Sequence, residues 1–276
     1  MKIILDLDTG IDDALALAYA VAHPDLELIG VTGTYGNVPV ALGVRNSLAL
    51  LELLDAEDVP VFTGPTRPDF SVAPISAFIH GRNGLGEVLL PPPRRKAYED
   101  AVGFLVRSVR EHGEDLVIVP TGPSTSIAAA MRKDPDFARN ARIVMMGGAL
   151  TVPGNVTPYA EANVFQDPQA TDYVFRHARD LTMVGLDVTL RTLLTTEQTK
   201  QWRETNTGRI YADMVDYYIR AYKTTSPHLG GCGLHDPLAV AVAADPSLVT
   251  CLDLNLRCEK NGRTIGEPER LDNPTT

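Results

Sequence analysis

Short continuous runs of Val, Ile and Leu alternate along this chain with stretches whose apolar residues recur at helical spacing. The runs at 2–7, 26–32, 60–62, 116–120, 142–146, 181–186 and 252–256 predict strands. Helical spacing predicts helices over 13–22, 40–54, 98–111, 124–132, 168–178, 196–205, 210–223 and 236–244. Strands that are apolar throughout and separated by helices suit a mostly parallel sheet covered on both faces. The pattern predicts an α/β fold: an open, mostly parallel, Rossmann-like sheet flanked by helices. Pro91-Pro92-Pro93 and the following Arg94-Arg95-Lys96 interrupt it, but a helix–strand unit resumes at once. They read as a surface linker, and residues 1–276 as a single domain.

Open parallel sheets bind ligands outside the carboxyl ends of their strands. Four aspartates, Asp6, Asp8, Asp12 and Asp13, fall within eight positions at the first such end. Asp6 and Asp8 share one strand face, because strand side chains alternate. Thr9-Gly10 makes the turn, and Asp12-Asp13 open an Ala/Leu-rich helix. Two like charges ~4 Å apart repel by about 1 kcal/mol in water and about 4 kcal/mol at a protein-like dielectric. The crowding asks for a bound cation, helix-terminal donors or protonation. An acidic helix start alone is ordinary; combined with a strand-end pair, it points to a metal or catalytic site. Thr34-Tyr35-Gly36-Asn37, Thr121-Gly122-Pro123, Met145-Met146-Gly147-Gly148 and Asp187-Val188-Thr189 close further strands and converge on the same edge.

The bulk numbers narrow the setting. With 44% hydrophobic and 22% charged residues over 276 positions, the chain suits a globular protein with a sizeable core. A formal net charge of −10 disfavours nucleic acid and anionic membrane as partners. Cys232, Cys251 and Cys258 are odd in number and lack zinc spacing, so neither a disulfide framework nor a zinc site is expected. No signal peptide and no membrane-length apolar run is legible, so a cytoplasmic protein is expected.

Three other segments carry candidate chemistry. GNVTPYAEANVFQDP concentrates Asn155, Thr157, Glu161 and Asn163, whose amides and carboxylate suit a polyhydroxylated ligand such as a sugar; the bland reading is a polar turn. His235-Asp236 precedes Pro237 at a helix start, where Asp is a routine cap. His80 lies in the glycine-rich HGRNGLG and says little alone. His23, His112, His177 and His228 have no supporting context and are expected to be solvated.

Taken in order, the opening Asp-x-Asp-x-Gly-x-Asp-Asp, GNV at 36–38, HGRNGLG, TGPSTSIA at 121–128, the Met-Gly-Gly end, GNVTPYAEANVFQDP and HDPLAVA resemble the inosine–uridine-preferring nucleoside hydrolases. The resemblance runs from about residue 3 to about residue 243. It implies the nucleoside hydrolase fold and cleavage of a ribonucleoside by water into ribose and a free base. It also implies one calcium ion, with Asp8, Asp13, Asp236 and the Thr121 carbonyl as protein ligands. All are hard oxygens, which calcium prefers. Asp8 would take the proton of the attacking water, and His235 would protonate the departing base. Asp12, Asn155, Glu161 and Asn163 would grip the ribose, with Asn37 near the water and Met146 beside the sugar. His80 and Tyr222 would contact the base, Tyr222 lying with Tyr217 and Tyr218 where relatives have a wall over it. Asp6 would support the metal loop.

Some relatives use an aromatic sandwich in place of a histidine acid. The sole tryptophan, Trp202, lies outside every motif, so His235 places the chain with the histidine-acid subgroup. Relatives are commonly homodimers or homotetramers. Three departures stand out: Ser126 replaces a common Asn, Asn83 occupies a variable position suited to tuning base selection, and the chain ends at LDNPTT, where relatives continue through a strand and helix. One rival is a phosphate-transferring enzyme of the haloacid dehalogenase type, but Gly10 stands where that family has Thr or Val. The other is a catalytically silent nucleoside-binding protein on the same fold. Purine or pyrimidine preference is not legible.

Overall fold

The computed structural model describes residues 1–268; the LDNPTT ending lies outside them. Six strands form one sheet in the order β3-β2-β1-β4-β5-β6, every neighbouring pair parallel. They are β1 (Lys2–Leu7), β2 (Glu27–Gly33), β3 (Val61–Thr63), β4 (Leu116–Pro120), β5 (Arg142–Met146) and β6 (Asp180–Val184). The predicted strands at 2–7, 116–120 and 142–146 match these bounds. Strand order reverses between β1 and β4, and a crevice opens at such a reversal.

The alternation in β1 divides the core. Ile3, Leu5 and Leu7 belong to one hydrophobic cluster and Ile4 to the other. The first cluster packs α1 (Ile11–Ala22) and α2 (Val40–Leu53) onto the sheet. The second packs α4 (Ala101–His112), α5 (Thr125–Lys133) and α8 (Pro168–His177) onto the opposite face. Between these lie α3 (Pro74–His80), α6 (Pro135–Asn140) and α7 (Ala162–Gln166). The later helices are α9 (Leu186–Thr189), α10 (Thr196–Trp202), α11 (Asn206–Thr225) and α12 (His235–Ala244), with the short pair β7 (Leu193–Leu194) and β8 (Cys232–Gly233) between them.

Three expectations need correction. The strand predicted at 252–256 is β9 (Leu254–Cys258), which pairs antiparallel with β10 (Thr264–Pro268) outside the main sheet. Its buried and exposed positions alternate, the mark of a strand with one wet face. The stretch at 181–186 stops at Val184, and Gly185 turns the chain into α9. His80 ends a helix, α3, that the sequence pattern did not predict; seven residues are too short for a clear period.

Candidate active site

The carboxyl edge of the sheet delivers its residues to one cleft of about 380 Å³. Asp8 follows β1 and is fully buried. Asn37, beyond β2, donates to it twice, from its backbone N–H to Oδ2 at 2.7 Å and from Nδ2 to Oδ1 at 3.2 Å. Gly36 is required here, since a Cβ would overlap Asp8 Oδ2. Asp13 accepts from the Gly10 N–H at 2.7 Å and from Thr121 Oγ1 at 2.7 Å. Asp12, one residue earlier on α1, accepts from the Tyr218 hydroxyl at 3.0 Å.

Asp12, Asp13 and Asp236 bring carboxylate oxygens within 4.8 Å of one another, and all three are buried. Asp12 Oδ1 has no hydrogen-bond partner. Burial raises the pKa of all three, Asp13 to about 6. Burial, with the charge of Asp13 second, pushes Asp8 well above the usual carboxylate range. Among the described residues no Lys or Arg lines the cleft. A closed set of hard oxygens with an unpartnered lone pair and no neutralising cation fits a metal ion. Asp8 is not one of this trio, and each of its oxygens accepts from Asn37.

The sugar-suited segment reaches the cleft in part. Glu161 caps α7, its carboxylate accepting from the backbone of Gly148, Asn163 and Val164 at 2.9, 2.9 and 3.1 Å. Asn163 donates to the Thr121 carbonyl at 2.6 Å, and Met146 lies beside it. Asn155 lines the cleft and accepts from the Ala162 N–H. Thr157 does not line it; its hydroxyl accepts from Tyr159 and Ala160 within its own turn. Asn83 is likewise turned to its own loop, accepting from Leu85 and Glu87 and donating to Val88.

The opposite wall is aromatic. His235 Nε2 lies 2.5 Å from the Tyr222 hydroxyl, and Nδ1 lies 2.8 Å from Thr189 Oγ1. Burial lowers its pKa, and the charge of Asp12 opposes that shift. The Ile11 N–H donates to His80 Nδ1 at 3.2 Å, so the neutral ring carries its proton on Nε2. Burial lowers the His80 pKa to about 4. Its ring centroid is 5.3 Å from that of Tyr218. Tyr218, expected only as part of a wall over the base, and Thr189, only as a strand end on this edge, both bond to site residues. His228, expected to be solvated, is exposed but lines this cleft.

The profile of the family described as inosine-uridine preferring nucleoside hydrolase matches residues 3–275. Uridine nucleosidase 1 of Arabidopsis thaliana is 37% identical over 270 residues, covering 96% of this chain and 80% of that protein. Pyrimidine-specific ribonucleoside hydrolase RihA of Escherichia coli O9:H4 is 35% identical over 267 residues, covering 95% and 86%. Among solved structures, the purine-preferring ribonucleoside hydrolase from Gardnerella vaginalis aligns with a TM-score of 0.96 at 55% identity, covering 100% of this chain and 91% of that one.

Proposed function

The chain belongs to the inosine–uridine-preferring nucleoside hydrolase family, and from that premise we propose a calcium-dependent reaction with Asp8 as general base and His235 as leaving-group acid. The protein is a nucleoside hydrolase: a ribonucleoside and water give ribose and a free base. Membership removes both rivals, the phosphate-transferring enzyme and the silent binding protein.

The observation that carries the reading is the buried carboxylate cluster, which no cleft-lining Lys or Arg neutralises. Asp13, Asp236, Asp8 and the Thr121 carbonyl are the proposed calcium ligands. When bound, the ion supplies Lewis-acid polarisation of the attacking water and of the ribose hydroxyls. Asp8 takes the proton from that water. Asn37, donating to both Asp8 oxygens, fixes the direction in which the carboxylate meets it.

Asp12, Asn155, Glu161 and Asn163 hold the sugar beside Met146. These contacts accelerate cleavage to the extent that they tighten as the ring flattens toward an oxocarbenium-like transition state. His80 offers its Nε2–H to the base. The leaving-group proton is held between Tyr222 Oη and His235 Nε2, with Thr189 orienting the ring from Nδ1.

We favour purine ribonucleosides, supported by the 55% identity to the purine-preferring Gardnerella enzyme against 35–37% to the uridine and pyrimidine enzymes. Residues 1–276 act as one catalytic domain, as a homodimer or homotetramer. The proposed setting is cytoplasmic; no described helix is long and apolar enough to cross a membrane, and the three cysteines are free. Steady-state kinetics on inosine, uridine and cytidine with calcium present test the preference: inosine should give the highest kcat/KM. A higher value for uridine or cytidine would overturn it.

A further inference from the structure

Tyr35, at the carboxyl end of β2, is 1% exposed, yet it touches neither the cleft nor any proposed ligand of metal or sugar. Its hydroxyl lies 2.9 Å from Thr125 Oγ1 and 3.3 Å from Asp167 Oδ2. Thr125 itself donates to Asp167 Oδ2 at 2.7 Å, so the polar chain runs Tyr35 to Thr125 to Asp167. Asp167 Oδ1 accepts from the Ala170 N–H, capping α8. Tyr35 thereby ties the end of β2 to the first turns of two helices on the far side of β1. Phe70 packs against the ring at a tilt of 42° with centroids 4.8 Å apart, and Arg67 holds that loop to the Gln166 carbonyl at 2.8 Å.

The next two residues make this more than a staple. Gly36 has no side chain with which to fix its own backbone, because Asp8 Oδ2 occupies the space a Cβ would need. Asn37 then supplies both donors to Asp8. The segment that aims the Asp8 carboxylate runs through a glycine, and the anchored side chain immediately before it is Tyr35. The Gly36 N–H donates to the Val38 carbonyl at 3.1 Å, and this closed turn links Tyr35 to the Asn37 N–H.

We propose that Tyr35 is a positioning residue for Asp8, acting through the Gly36-Asn37 backbone and anchored by the Thr125–Asp167 pair. This rests on the reading of Asp8 as general base. Tyr35→Phe keeps the ring and its packing and removes only the anchor. Tyr35→Phe removes both of its bonds while Thr125→Val leaves the one to Asp167, so Thr125→Val should lose no more than Tyr35→Phe, and the double variant about as much as Tyr35→Phe.

The test is the single-turnover rate, with saturating calcium, on inosine and on nitrophenyl riboside. Tyr35→Phe is expected to lower both rates by a similar factor, about tenfold, with KM within about twofold of wild type, because activation of water is common to both substrates. Thr125→Ser, which restores the hydroxyl, should recover the rate, while Thr125→Val should not. A role confined to stability would lower Tm and leave the single-turnover rates unchanged, and that result would overturn the proposal. So would a loss confined to KM, or one that Thr125→Ser fails to rescue. Asp8→Asn in the same assay separates the two levels. An inactive Asp8→Asn beside an unaffected Tyr35→Phe defeats this inference alone; an active Asp8→Asn defeats the base assignment beneath it.

Discussion

The floor of the cleft and its aromatic wall are made in different ways. The floor takes Asp12 from the start of α1 and Asp236 from the start of α12; Asp8 and Asp13, of the same strand–helix junction as Asp12, are fully buried and do not line the cleft. The wall takes His80 from α3, Tyr218 and Tyr222 from α11, and His235 from α12. His235 and Asp236 are chain neighbours, yet their side chains serve opposite regions. The floor is nearly all carboxylate; in the proposed reading it meets the ribose, which every ribonucleoside presents alike. The wall pairs imidazoles with phenols and, in that reading, meets the base, which differs between substrates. The proposed roles thus put the chemistry common to all substrates where the sheet fixes it, and discrimination on helices whose placement depends on long-range packing.

Breaking the floor should give the largest effect, and one blind to the base. Asp8→Asn is expected to lower turnover by about 10²–10⁴-fold on inosine, uridine and nitrophenyl riboside alike. An unchanged fold is checked by circular dichroism. A loss on one substrate only would assign Asp8 to recognition.

Breaking the wall should be selective. His235→Ala should cost about 10²-fold on inosine and much less on nitrophenyl riboside, whose leaving group needs no proton. Equal losses on both would give His235 another task.

The smallest effect sharpens the charge argument. Burial lifts Asp6 to about 7 and Asp13 to about 6, above the ordinary value of about 4. A carboxyl raised in the folded state contributes stability that is present below its unfolded pKa and lost as pH rises through the folded one. The cation-free protein should therefore lose thermal stability between about pH 4 and about pH 7. Calcium, which favours the ionised form, should raise Tm more at about pH 8 than at about pH 5. A larger gain at the acid end would contradict the assignment of Asp13 to the cation site.

The two regions also differ in how far the sequence revealed them. The floor was legible because period-two alternation in β1 and the turn at Thr9-Gly10 are local, and parallel topology alone brings Asp8 and Thr121 to one crevice. The wall was read mainly from motif resemblance. α3 is too short to show a period, so His80 looked like a loop residue. His228 looked solvated because nothing local shows that the chain after α11 folds back over the cleft. Thr157 was credited with ligand contact by its residue type and Asn83 with base selection as a departure from relatives, whereas their side chains serve their own turns. The strand at 252–256 was assigned to the main sheet because an apolar run does not say which sheet it joins.

If the buried carboxylates form a calcium site, hydrolysis depends on that ion. The most direct measurement follows release of hypoxanthine from inosine by the same enzyme with calcium, after chelation, and after calcium is restored. Turnover with calcium, loss on chelation and recovery on restoration are expected. Undiminished turnover by the fully chelated enzyme would contradict that dependence.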